Sequence, residues 1–591
     1  MNRIIQLLET YIHWLRKKLS AKQFLIFASI LVGLTAGSVA VFLKMLVHYI
    51  RVSITKDFHI ECQQLLYFIF PTIGILITAW IIKKYFKGNL EKGTAYVLFS
   101  ISKRNSFLAK HLMYSNAVTS ALTVGLGGSV GLESPIVSTG AAIGSNFSKN
   151  YHLSSKERTL LLACGVSAGI SAAFNAPIAG VLFALEVLLA DVSIAAFIPI
   201  MISSVTGGLL SLIILNEDIL LSFKLDQKFN YTNVPFYAVL GVLAAVVSVY
   251  YIRVFLKIEY KLNHSKIPAF TKALVGGISL SVLILLFPPL FGEGYETIKS
   301  YSSHQHNLMF SGSILNSLVN NNFVLVLMLI MLLLLKPIAA AVTIGSGGNG
   351  GNFAPSLFVG ATLGFCFSIV LKILGFENIP SSNFTLVAMA GILSGVFHAP
   401  LTGIFLIAEL TGGYELMIPL MLVSALSYAI ARYFEPYSLD TKNLALKGYL
   451  VSENKDSSIL ESINTMQVVE NNFQTVAPQC SLRELLNVVS HSKRNIFPVV
   501  EQGKLKGIIL LDDIREIMFN AELYDTTFVN QLMHQPPAIV SLGESLQSVM
   551  KKFDDTLAWN LPVIDENEIY LGFVSKSGLL VKYREKLLKS Y

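Results

Sequence analysis

The residues with the most specific chemistry lie in a stretch written twice. Residues 127–144 read GGSVGLESPIVSTGAAIG, and residues 347–364 read GGNGGNFAPSLFVGATLG. Laid side by side without a gap, Gly127, Gly128, Gly131, Pro135, Gly140, Ala141 and Gly144 fall on Gly347, Gly348, Gly351, Pro355, Gly360, Ala361 and Gly364. Each copy is a glycine-rich turn that closes on a proline, Pro135 or Pro355, and opens into small and apolar residues. That is the pattern of a helix start: proline's missing N–H had no partner in the first turn, and glycine lets the preceding backbone approach a ligand. The first amides of such a helix are unpaired and carry the positive end of its dipole, so they hold an anion without a full positive charge. Glycines also serve close helix packing in membranes, but duplication of both whole turns with their prolines favours an ion site.

Glu133 stands inside the first turn, two residues before Pro135, where the second copy has Phe353. A carboxylate inside a membrane is costly and marks function. While charged it competes with a bound anion, and when protonated it leaves, which makes it a gate. The alternative is a carboxylate that merely neutralises its own helix start. A second matched pair follows the turns, FNAPIAGVLFALE ending at Glu186 and FHAPLTGIFLIAE ending at Glu409. The equivalence of these two glutamates favours a structural role. His398, opposite Asn175, favours packing or a helix start.

The elements that must position these residues are membrane elements. Of 591 residues, 53% are hydrophobic and 14% charged, with mean hydropathy +0.60. Apolar runs recur at 24–47, 65–82, 192–215, 234–254, 273–290, 323–335, 386–408 and 416–431. Several reach the ~20 residues that span a bilayer. Those after the glycine turns are short and rich in Gly, Ala and Ser, which points to helices that enter part-way and line a cavity. Residues 1–23 form an amphipathic, basic segment on the cytoplasmic membrane face, and they do not read as a cleaved secretory signal. A second basic cluster, Lys83, Lys84, Lys87, Lys92, Lys103, Arg104 and Lys110, is cytoplasmic by the positive-inside rule. Topology therefore accounts for the net charge of +8, with no nucleic-acid partner.

Other chemistries find no support. Cys62, Cys164, Cys366 and Cys480 have neither disulfide-framework nor metal-ligand spacing, and no HExxH pair occurs. Ser129, Ser134 and Ser346 have no His or Lys partner at a recognisable spacing, so no enzyme is expected. A cation or proton carrier would place more carboxylates at the turns. The expected site also lacks a cationic binding residue.

After residue 448 the composition changes. Residues 449–465 read as a polar linker, and 466–591 alternate short β-branched strands with charged helices. Here too a segment is repeated: Ile496-Phe497-Pro498-Val499-Val500 followed by Gly507-Ile508-Ile509 matches Asn560-Leu561-Pro562-Val563-Ile564 followed by Gly572-Phe573-Val574.

GGSVGLESP, GSGGNGGNFAP, the two FxAPxxG segments and FGEGYETI at 291–298 together resemble the CLC family of chloride channels and proton/chloride exchangers, over roughly residues 24–445. The resemblance implies an α-helical integral membrane protein, an inverted repeat of tilted and part-way helices, with repeats at about 24–215 and 234–448. It implies a homodimer in the cell (inner) membrane, a chloride pathway in each subunit, and Glu133 as gate. The amides around Gly131, Leu132, Asn352 and Phe353 would face the anion. Thr94 falls where the family has a serine hydroxyl. The pore tyrosine falls on Asp440, with Tyr437 as the alternative. Val187 stands where exchangers carry an inner proton glutamate, which favours a passive channel over a proton-coupled antiporter. Fluoride or nitrate stays open as cargo, because the two deviating side chains are those of the central site. The tail resembles a CBS pair, a cytoplasmic dimerising module or an adenine-nucleotide sensor. It keeps half of each ribose-binding pair: Leu510 with Asp513, and Ser575 with Gly578.

Overall fold

The computed structural model describes residues 14–55, 60–88, 90–189, 194–215, 229–302, 322–447 and 465–590, together with Ile12, Tyr449 and Ile463. Most of the N-terminal segment 1–23 and nearly all of the linker 449–465 lie outside the described residues. The chain divides into two compact units, Met1–Leu450 and Val451–Tyr591, each with its own hydrophobic clusters.

In the first unit one half is built like the other. The first half contains α1 (Ala21–Thr55), α2 (Ile60–Tyr85), α3 (Gly93–Lys103), α4 (Leu112–Gly125), α5 (Glu133–Asn150), α6 (Ser155–Phe174), α7 (Pro177–Phe183) and α8 (Ile194–Leu215). The second contains α9 (Val234–Asn263), α10 (Ala269–Leu286), α11 (Tyr295–Ser302), α12 (Asn322–Gly345), α13 (Phe353–Ile373), α14 (Ser381–Phe397), α15 (Pro400–Leu410), α16 (Met417–Phe434) and α17 (Lys442–Leu446). Helix α1 packs on α4, α6 and α8 as α9 packs on α12, α14 and α16. Likewise α5 lies on α6 as α13 lies on α14, and the halves join through α2 with α10 and α7 with α15.

Small residues set these contacts. A Cβ on Gly144 would overlap the Leu161 carbonyl, and one on Gly364 the Phe384 carbonyl. So α5 meets α6, and α13 meets α14, at backbone distance, which supplies the van der Waals contact that lipid cannot outcompete.

Among the described residues eight helices are long and apolar enough to cross a bilayer. The molecule is a multi-pass integral membrane protein. Two sequence expectations change. The run 386–408 is two helices, because His398 takes left-handed φ 56° at the end of α14 and Pro400 opens α15. Proline cannot continue the preceding helix, and α6 ends in the same way at Asn175, φ 54°. Thus His398 closes a helix and does not start one. The helix after the second glycine turn, α13, is 21 residues long and qualifies as a span.

In the second unit two hairpins carry the repeated sequence. Strands β2 (Ile496–Glu501) and β3 (Lys504–Leu510) pair antiparallel with a register shift at Val499/Val500. Strands β5 (Asn560–Ile564) and β6 (Tyr570–Ser575) do the same with a shift at Val563/Ile564. The second hairpin is completed by β1 (Val469–Glu470) and β4 (Val540–Ser541) in the order β1-β6-β5-β4. Helices α18 (Leu482–His491) and α19 (Leu546–Thr556) start at serine caps, Ser481 and Ser545, which satisfy amides that have no partner in the helix.

Candidate functional site

The two glycine turns meet face to face. Gly131 N donates to Gly351 O at 2.9 Å and Gly351 N to Gly131 O at 2.8 Å, an antiparallel bridge between the halves. Gly127 and Gly347 turn the chain with left-handed φ of 98° and 115°, angles a side chain would strain. Helices α5 and α13 therefore begin side by side. Their cap residues, Leu132 and Asn352, make no side-chain cap bond. Pro135 and Pro355 occupy the third helical position of each, where no N–H is needed.

Glu133 is 4% exposed. The Tyr295 hydroxyl donates to its Oε1 at 2.5 Å. The carboxylate lies beside the amides of Glu133 and Ala354, and its Oε2 completes no hydrogen bond to any of the described groups. Close by, Glu293 Oε1 accepts the Leu132 amide at 3.3 Å. Lys336 is fully buried on α12 and donates to Gly292 O at 3.0 Å and Leu290 O at 3.4 Å.

A cavity of about 130 Å³ has Glu133 in its wall. It is lined by Glu133, Ser134, Asn352, Phe353, Thr94 and Asp440, and also by Lys92 and Glu259. The Thr94 amide donates to Ser134 Oγ at 3.1 Å, and the two hydroxyls lie 3.3 Å apart. Asn352 Oδ1 accepts the Tyr251 hydroxyl at 3.1 Å. The Phe353 ring packs among Phe174, Phe183 and Phe397, with centroids 5.4, 6.1 and 5.6 Å away. Asp440 faces the Thr94 hydroxyl. Its segment is anchored by Leu439 N donating to Val396 O at 3.0 Å, and by Glu435, which joins Arg253 and Lys442.

Of the two positions read for the pore tyrosine, Asp440 lines the cavity, whereas Tyr437 is 46% exposed and lies outside its lining. Gly131 and Leu132 lie outside the cavity lining. Val187 lies in a π turn, Ala184–Leu188, packed against the core and also outside the lining. In the tail, Asp513 accepts the Leu510 amide at 2.7 Å and pairs with His534 Nε2 at 3.0 Å. The Ser575 hydroxyl donates to Glu470 at 2.5 Å and accepts the Gly578 amide at 3.0 Å.

The paired glutamates exchange places between the halves. Glu409 accepts the amides of Ile178 and Ala179 at 2.9 and 2.8 Å, the start of α7. Glu186 accepts those of Leu401 and Thr402 at 3.1 and 2.8 Å, the start of α15. Each FxAP helix ends in the cap of the other.

Sequence reasoning missed Lys92, Glu259, Glu293, Tyr295 and Lys336. The expectation that no cationic residue lines the site is corrected by Lys92. Lys92 is directed inward: its Nζ donates to Gly348 O at 2.8 Å, inside the second glycine turn. Its position directly before Gly93-Thr94 was the available signal. Glu293 and Tyr295 lie in the FGEGYETI motif, but nothing in the motif says that it folds onto Glu133.

A duplicated helical bundle in which two helix starts meet beside a buried carboxylate is the architecture of a membrane transport protein. The Voltage gated chloride channel family model matches residues 73–432, and the CBS domain model matches 461–520 and 529–585. The chain belongs to the voltage-gated chloride channel (CLC) family, a family of channels and transporters and not of enzymes, and it carries a C-terminal CBS pair. It is 27% identical over 61% of its length to a putative chloride channel protein ClcB-like of Ralstonia nicotianae, covering 81% of that protein. It is 26% identical over 76% of its length to chloride channel protein CLC-f of Arabidopsis thaliana, covering 62% of it. To the H(+)/Cl(-) exchange transporter ClcA of Vibrio cholerae it is 27% identical over 51% of its length, covering 62% of it. Among solved structures, a slow cyanobacterial Cl-/H+ antiporter superposes with TM-score 0.62 at 20% identity, over 73% of this chain and 98% of that one. A eukaryotic CLC transporter does so with TM-score 0.59 at 19% identity, over 95% and 99%. These likenesses are of fold.

Proposed function

We propose that the chain conducts chloride passively across a bilayer, through one anion pathway in each subunit of a homodimer, with Glu133 as the gate. The carrying observation is the meeting of the starts of α5 and α13 beside a buried carboxylate in the wall of a cavity. Unpaired amides and the helix dipole favour a small anion there, and a charged Glu133 occupies the position the anion needs. The names of the ClcB-like and CLC-f relatives supply chloride as the cargo. The basic segments before and after the first spans support a cytoplasmic N-terminus and CBS tail in the cell (inner) membrane. Passive conduction is supported by Val187, which carries no proton.

Proton-coupled exchange is the second reading. It is favoured by Asp440 and Glu259, which line the same cavity as Glu133 and offer further carboxylates to carry a proton. The zero-current potential of the purified protein in liposomes, under a chloride gradient with and without an opposing proton gradient, separates the two. A potential that follows chloride alone is expected; displacement by the proton gradient overturns passive conduction. Intact protein without chloride flux would turn attention to fluoride or nitrate, through the departures at Thr94 and Asp440. Adenine-nucleotide binding by the tail is a separate proposal. It requires Ser575 to exchange Glu470, and Asp513 to exchange His534, for the ribose.

A further inference from the structure

We propose that Glu293 is a second competing carboxylate of the anion site, so that an anion gains the start of α5 only when both Glu133 and Glu293 are neutralised or displaced. The inference rests on the reading of Glu133 as gate and adds a residue to it. The Leu132 amide is among the first donors of α5, free of any helical partner and therefore part of what a helix start offers an anion. In this structure Glu293 Oε1 holds it at 3.3 Å. The contact is built into the fold. Gly292 N donates to Gly127 O at 3.2 Å, which ties the loop carrying Glu293 to the first glycine turn. Gly292 and Gly294 flank Glu293 with left-handed φ of 62° and 91°, angles that suit glycine and fix the direction of the residue between them.

The same loop ends in Tyr295, whose hydroxyl holds Glu133. One loop thus restrains both carboxylates. The charged and titratable groups facing Glu293 are Glu133 on α5, Tyr295 on α11, Lys336 on α12, and Lys44 and Arg51 on α1. Each of the three cations has another partner: Lys336 the carbonyls of Gly292 and Leu290, Lys44 the Ala173 carbonyl at 2.7 Å, and Arg51 the carboxylate of Glu296 at 2.7 Å. An anion arriving at α5 therefore meets two carboxylates already seated on or beside its donors.

The test is chloride flux in proteoliposomes against pH for wild type, E293Q, E133Q and the double variant, together with chloride affinity of each purified protein by calorimetry. Wild type should open with a two-proton dependence. E293Q should show a one-proton dependence, carry roughly tenfold more flux at alkaline pH and bind chloride several-fold tighter, as expected when one nearby negative charge is removed. E133Q should keep a one-proton dependence that the double variant loses. A wild-type pH profile and affinity in folded E293Q overturns the proposal, as does a pH-independent E133Q. An unchanged E133Q profile beside a shifted E293Q profile instead overturns the Glu133 gate and leaves Glu293 as the titrating carboxylate.

Discussion

At the scale of single residues, the hydroxyl of Tyr295 is what keeps Glu133 seated. A hydrogen bond to a charged group contributes about 1.5–3 kcal/mol, so Y295F should release the carboxylate and raise chloride flux at neutral pH about tenfold or more. E133Q should go further in flux and reduce the pH dependence from two protons to one; full retention in that variant would remove the gate assignment. Asp440 and Lys92, two of the charged residues lining the cavity, make opposite predictions. D440N removes a carboxylate from the cavity wall and should tighten chloride binding, whereas K92M removes the ammonium and should weaken it. Each change should amount to several-fold at ordinary ionic strength, read by calorimetry on the purified protein. Glu133 was legible because its own turn is duplicated and the copy lacks it. Lys92 and Glu259 were not, because they converge on the cavity from α9 and the turn before α3, and only the fold brings them to Asp440. Asp440 itself was placed by the short Leu444-Ala445 match, which left Tyr437 as an equal until the structure put that ring outside.

At the scale of elements, the reciprocal caps explain why Glu186 and Glu409 recur. Helices α7 and α15 are short, and their first amides would be orphaned inside the protein. Each glutamate supplies acceptors to two of them and places a negative charge at the positive end of a dipole. E409Q should lower stability by about 1–2 kcal/mol, measured by thermal unfolding in detergent, with the chloride potential unchanged. An unaltered unfolding temperature would show that the caps are idle. The duplication made the pair visible and its structural role readable, but not the exchange between halves, which depends on α7 packing against α15. The π turn at Ala184–Leu188 was invisible for a related reason. The second half has regular helix at the equivalent place, so the departure follows from packing and not from the repeated residues. It is also where Val187 leaves the cavity lining, and π turns often accompany functional sites.

At the scale of the whole molecule, two independent duplications carry the architecture, one in the membrane unit and one in the tail. Both were legible as paired sequences, whereas the true helix ends and the cavity were not, since these depend on backbone approach at residues such as Gly144 and Gly364. The tail should respond to acid through Glu544, which lies outside the membrane. Burial alone would raise its carboxyl, yet the Lys552 ammonium at 2.8 Å, the Ser548 hydroxyl at 2.6 Å and the Ser541 amide at 3.2 Å hold it below the ordinary carboxylate range. A carboxyl depressed in the folded state binds fewer protons there than in the unfolded chain. Its contribution is therefore complete above the ordinary glutamate value of about 4.3 and is lost as pH falls through the folded value. Because Lys552 is partly exposed, solvent screening limits the contribution to about 0.5–1 kcal/mol. In E544Q, hydrogen exchange of the amides in α19 of the full-length protein should accelerate a few-fold at neutral pH and converge with wild type as pH falls through the folded value of Glu544. A difference that persisted into acid would assign the effect to lost packing at the helix start, and equal rates at neutral pH would leave the Lys552 pair without energetic weight.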